Sequence, residues 1–243
     1  MKQYLQYTRA PLGSYLLSLP LLALYLVVAF LANLGERRAV INGADALLQS
    51  LLSVVGLYGW GGSCLVLAAV AGVAIYRQDK TGRELPFRAQ YLAGLLLEST
   101  LYACFFGSIV AFLASLILPG PGFLQIGGSL GLTLGQKLAT GLGAGFYEEL
   151  VFRVMLAGSL LWIAGKLGWS RAQAVTGAVL VSSLLFSLFH YVGPGGESFA
   201  LGSFVFRFVA GVVLAGLFAA RGFAVAAWTH ALYDVFLILA GKA

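Results

Sequence analysis

Apolar residues run along the chain in long stretches, near Ser14–Leu34, Leu47–Tyr76, Tyr91–Leu118, Lys137–Ala164, Ala172–Tyr191, Phe199–Ala220 and Phe223–Leu239. A helix rising 1.5 Å per residue needs about 20 such residues to cross roughly 30 Å of hydrocarbon, so the pattern predicts about seven transmembrane helices. The connection Pro119–Gly135 carries no charge, two prolines and many glycines; it reads as a loop or a broken, partly re-entrant segment in which an eighth helix could hide. A membrane barrel would instead show segments of about ten residues with alternating faces, and that alternation is missing. The expected fold is therefore an all-α polytopic bundle.

Composition agrees. Of 243 residues, 60% are hydrophobic and 10% charged, which excludes an ordinary soluble domain. The net charge of +6 does not point to a nucleic-acid partner, because the basic residues sit singly or in small groups between the apolar runs. A cytoplasmic N-terminus places Lys2, Arg9, Arg77, Lys80, Arg83, Arg88, Lys166, Arg171 and Arg221 inside, against Arg37, Arg38 and Lys242 outside, the asymmetry expected of cytoplasmic loops. The run from Ser14 is too long for a signal-peptide core and reads as a retained first span. Cys64 and Cys104 both lie within apolar runs, as buried thiols rather than a disulfide.

Ionisable side chains within apolar spans cost several kcal/mol unless partnered or hydrated, and so mark function. The fourth run carries Phe146-Tyr147-Glu148-Glu149-Leu150-Val151-Phe152-Arg153, the fifth ends Phe186-Ser187-Leu188-Phe189-His190, and the seventh holds His230-Ala231-Leu232-Tyr233-Asp234. The two histidines of the chain are both in this set. On a helix, Glu149 and Arg153 share a face and can pair, as can His230 and Asp234, whereas Glu148 points about 100° away from Glu149. Glu148 is thus the carboxylate left for chemistry. With His190 beside it, it could take a proton from water, while His230 and its neighbour stabilise an oxyanion.

The remaining features have simpler readings. Gly131/Gly135 and Gly141/Gly145 place small residues on one helix face, where backbones can approach closely; the latter pair is not a phosphate loop, since no Gly-Lys-Ser/Thr follows. Arg207 and Glu98 could pair with each other, snorkel, or meet a substrate carboxylate. The glycine- and proline-rich Gly193–Gly196 reads as a helix stop or a hinge over the pocket.

The motifs Glu148-Glu149-x-x-x-Arg153, Phe186-x-x-x-His190 and His230-x-x-x-Asp234, in this order on successive helices, resemble the CPBP intramembrane peptidases, which include the CAAX prenyl endopeptidases and the bacteriocin-processing and immunity proteins. The resemblance covers roughly Lys137–Leu239 and implies a glutamate-dependent endopeptidase acting on a membrane-embedded, lipidated or prenylated substrate. It implies Glu148 and His190 as the water-activating pair, His230 with Asp234 as the oxyanion site, and Glu149, Arg153 and Phe186 as supporting residues. Prenyl endopeptidases carry Asn at the last position. An ionised Asp234 can only accept hydrogen bonds, so it is either protonated, or ligates a metal, or, as is expected here, orients His230 by accepting from its ring N–H.

Two alternatives stay open. Glu148, His190 and His230 could hold a divalent metal such as zinc, although the His-Glu-x-x-His spacing is missing. Alternatively, the cluster could serve a non-enzymatic immunity, scaffold or binding protein. The sequence leads to the expectation of residues 1–136 as N-terminal helices plus a Gly/Pro-rich connection, and 137–243 as a catalytic four-helix core around a conical polar cavity, in a multi-pass protein of a bacterial or archaeal cell membrane. The resemblance implies a cytosolic opening, whereas the charge asymmetry puts His190 near the outer end of its span.

Overall fold

Helix after helix follows from the apolar runs, in the order α1 (Lys2–Arg9), α2 (Pro11–Ala32), α3 (Gly43–Val54), α4 (Trp60–Gln78), α5 (Lys80–Glu84), α6 (Ala89–Ile117), α7 (Leu134–Gly143), two π-helical segments π1 (Ala144–Glu148) and π2 (Leu150–Ala157), α8 (Gly158–Lys166), α9 (Arg171–Phe189), α10 (Leu201–Arg221) and α11 (Phe223–Leu239). The computed structural model describes residues 2–36, 39–119, 131–193 and 196–242. Arg37 and Arg38, the middle of the Pro119–Gly135 connection, and Pro194 and Gly195 lie outside the described residues.

Among the described residues, four helices are long and apolar enough to cross a membrane: Pro11–Ala32, Gln90–Ile117, Arg171–Phe189 and Leu201–Arg221. Cys64–Gln78 and α11 are shorter apolar helices. The predicted second span, Leu47–Tyr76, is corrected: it breaks into α3 and α4, because Gly56 and Gly59 adopt φ values of +84° and +94°, which no helix accommodates. The fourth predicted span is one continuous rod, α7–π1–π2–α8, whose middle turns widen to the π form. Such turns are found mostly as interruptions of α-helices at functional sites.

Capping residues set several boundaries. Thr133 and Gln136 form a reciprocal capping box at the start of α7, as do Ser170 and Gln173 at the start of α9, each satisfying backbone N–H groups that the first turn leaves unpaired. Gly222, at φ +90°, permits the sharp turn from α10 into α11. Gly131, at φ +92°, precedes the Thr133 cap, so the expected Gly131/Gly135 helix face does not form.

The bundle is apolar on both sides of its helices. On α6, Leu95, Ser99, Ala103, Phe106, Val110 and Ala114 are buried, while Leu97, Leu101, Phe105, Ile109, Phe112 and Leu116 are exposed. Both stripes recur at three or four residues. An outward stripe this apolar is stable only against lipid, so the chain is an integral membrane protein.

One end of the bundle is tied by polar contacts. Arg9 Nε donates to Ala220 O at 2.7 Å, and the backbone N–H of Leu12 to Asp79 Oδ2 at 2.8 Å. Glu98 pairs there with Arg221 rather than with Arg207, because Arg221 ends α10 beside it at 2.6 and 2.9 Å. Arg207 pairs with Glu197 at 2.7 Å. Arg9 and Arg221, both expected inside, thus share one end of the bundle with α1, and the polar cavity lies toward the other.

Candidate active site

The rod carries Glu148 at the end of π1 and Glu149 at the junction of the two π segments. Glycines let α11 approach it. A side chain at Gly145 would have its Cβ 2.6 Å from Ala227 O, and one at Gly141 3.1 Å from the Cβ of Asp234. These are the distances that bring the His230 face of α11 against the glutamates, so the Gly141/Gly145 face is a packing seam. From the third side α9 packs on π2 and delivers Phe186 and, as its C-cap, His190.

The paired glutamates have different surroundings. Glu149 is fully buried and reaches two partners: Arg153 Nε is 3.1 Å from Oε2, and His230 Nδ1 is 3.0 Å from Oε1. Arg153 is 1% exposed, and its guanidinium lies over the Phe186 ring, 4.7 Å from the centroid. Phe186 sits between the two imidazoles, its centroid 5.2 Å from that of His190 and 6.0 Å from that of His230. Glu148 accepts one hydrogen bond on Oε1, from Asn42 Nδ2 at 3.0 Å. Its Oε2 has no hydrogen-bond partner among the described residues and faces His190 Nε2 at 3.9 Å.

His190 Nδ1 lies 2.9 Å from Phe186 O. A carbonyl only accepts, so Nδ1 carries the proton and Nε2, toward Glu148, is the atom free to accept in the neutral ring. His230 has a carboxylate near each ring nitrogen: Glu149 on Nδ1, and Asp234 Oδ2 at 3.7 Å from Nε2. The orienting hydrogen bond expected from Asp234 therefore comes from Glu149. Asp234 is one turn along the same helix, and its short side chain stops at ion-pair range, beyond a hydrogen bond.

Glu148, His190, His230 and Asp234 all line one cavity of about 270 Å³, together with Phe186, Asn42 and Arg207. Lys137 and Thr140 near the start of α7, and Leu237 and Ile238 near the end of α11, also line it, which places the cavity toward the end of the bundle away from Arg9 and Arg221. Glu149 and Arg153 stand behind this wall, buried. Asn42, the N-cap of α3, was not singled out from sequence; the signal was there in Asn42-Gly43-Ala44-Asp45, a polar cap followed by an acid in the first turn.

The geometry lends no support to the alternative of a divalent metal on Glu148, His190 and His230. Among the described residues no three His, Cys, Asp or Glu side chains converge as a ligand set.

Residues 130–236 match the family model described as type II CAAX prenyl endopeptidase Rce1-like. All seven residues singled out by the three motifs fall within that stretch, and Asn42 falls outside it. Neither the curated proteins nor the solved structures offer a match to this chain.

Proposed function

From the premise that residues 130–236 belong to the type II CAAX prenyl endopeptidase Rce1-like family, a protease family, we propose that this chain hydrolyses a peptide bond of a membrane-embedded or prenylated substrate with Glu148 as the general base. The observation that carries the reading is the under-bonded oxygen of Glu148: a buried carboxylate on the wall of a cavity, with a single donor among the described residues and 3.9 Å from an imidazole nitrogen.

A water held between Glu148 Oε2 and His190 Nε2 can donate to both, since two hydrogen bonds of about 2.8 Å span that gap. Glu148 takes the proton as the water oxygen attacks the scissile carbonyl carbon. The carbonyl oxygen gains the electron pair and accepts a hydrogen bond from His230 Nε2–H. With Glu149 and Asp234 on either side, a protonated His230 has an acceptor for Nδ1–H and a counter-charge near Nε2, so it stands ready as a donor. Collapse of the tetrahedral species breaks the C–N bond, and the proton held by Glu148 passes to the leaving amine. Arg153 neutralises Glu149, and Phe186 holds the two imidazoles apart.

The core that carries out this chemistry is residues 137–243, with the N-terminal helices, including Asn42, completing its wall. With the basic end in the cytoplasm, the cavity opens toward the outer face of a bacterial or archaeal membrane; reporters fused at Gly82 and at the C-terminus should fall on opposite sides. The test of function is a comparison of membrane peptides in cells expressing wild type or Glu148→Gln, which keeps shape and removes the base. Peptides should persist uncut in the variant. An unchanged profile, with the variant still folded and inserted, would return the cluster to a scaffold or immunity role.

A further inference from the structure

We propose that Asn42 is a positioning residue for Glu148, supplied by a helix that lies outside residues 130–236; the proposal rests on the hydrolytic reading above. Its side-chain Oδ1 accepts from the Ala44 N–H at 2.8 Å, capping α3, which fixes the amide so that Nδ2 is the atom presented to Glu148 Oε1 at 3.0 Å. The cap thus decides which way the amide points. Because Asn42 holds one carboxylate oxygen, the other is left directed at His190.

The approach of Asn42 is built into the packing. Gly143, on the same rod as Glu148, lies so close to α3 that a Cβ there would come within 2.8 Å of Asn42 Cβ and 2.7 Å of the Tyr25 ring. Tyr25 OH in turn donates to Asp45 Oδ2 at 2.5 Å, tying the first turn of α3 to α2. Asn42 itself is 7% exposed and lines the cavity. A cap needed only to start α3 would serve equally well facing away from the site.

Three variants separate the cap from the donor. Asn42→Asp and Asn42→Ser both keep a side-chain oxygen that caps α3, but the aspartate has no amide to donate and the serine is too short to reach Glu148; Asn42→Ala loses both roles. If Asn42 acts through Glu148, all three lower kcat, by up to about a hundredfold for a displaced catalytic group, while KM stays near wild type. Asn42→Asp should be the most harmful, because it sets a second carboxylate against the first. A cap-only role predicts the opposite ranking, with Asn42→Ala alone impaired. The rate is read on whichever membrane peptide depends on Glu148; if no peptide does, it is the hydrolytic reading that fails.

The second readout needs no substrate. In infrared spectra of purified protein with ¹³C-labelled glutamate, the Glu148 carboxylate band is identified by its loss in Glu148→Gln. Asn42→Ser, which spares the cap, should shift that band. A band unmoved in Asn42→Ser, or wild-type kcat in that variant, overturns the proposal.

Discussion

Two glutamates in this bundle, the partly buried Glu98 and the buried Glu148, show opposite ways of keeping a carboxylate in a membrane protein. Glu98 is saturated: Arg221 reaches both oxygens at 2.6 and 2.9 Å, Tyr4 OH donates at 2.5 Å and Tyr102 OH at 3.0 Å. Among the described residues Glu148 accepts from Asn42 alone, and its buried second oxygen has no donor and stands 3.9 Å from His190 Nε2. A fully bonded carboxylate has no lone pair to offer a substrate or a water, and its role is to bind helices together. An under-bonded one carries an unmet cost that chemistry can use. Residue type is the same in the two places, so it is the bonding that sets Glu98 apart from the proposed base.

The comparison breaks most clearly at the base. Glu148→Gln should lower turnover by roughly 10²–10⁴ with little loss of thermal stability in detergent, measured on the purified protein. Glu98→Gln should do the reverse, keeping turnover per folded molecule while costing about 2 kcal/mol of stability through lost charge-assisted hydrogen bonds. If Glu98→Gln abolished turnover in folded protein, the division between the two sites would collapse.

Glu149→Gln sharpens it further, because Glu149 stands between the two classes, buried like a structural residue yet bonded to His230. Removing its charge leaves Arg153 buried without its counter-charge, at about 3–5 kcal/mol, and releases His230. Both stability and turnover should therefore fall, as read by thermal unfolding and by initial rates. Gly145→Ala tests the packing seam: a methyl against Ala227 and Ala231 should cost about 1–3 kcal/mol and reduce turnover by displacing His230. The smallest effect is expected for exchanging the pair at the other end, Glu98→Arg with Arg221→Glu, which should recover part of the stability lost in either single variant and leave turnover unchanged.

Much of the site was legible along the chain because its spacings are local. The four-residue offset joins Glu149 to Arg153 within one helix, and the 100° step turns Glu148 away from them. The same arithmetic put Asp234 beside His230, where it stands at ion-pair range, but it did not show the closer partner. One turn away, Asp234 looked like its partner, and the nearer acceptor turned out to be Glu149 across the α11 seam. The single second span failed for another reason: its apolar run hides two glycines whose positive φ ends α3 and starts α4 afresh. Glu98 and Arg207, both conspicuous in apolar runs, found Arg221 and Glu197, partners 123 and 10 residues away.

Sequence alone determined that the chain is a helical membrane bundle and that Glu148, His190 and His230 are its anomalous residues, because the cost of placing charge in lipid and the period of a helix are properties of short segments. Tertiary structure decided which carboxylate holds His230, which leaves Glu148 half satisfied, and that Asn42 from a distant helix donates to it. Those outcomes depend on helix crossings, set by glycine seams at Gly141, Gly143 and Gly145, and the order of residues along one stretch of chain does not encode where two helices cross.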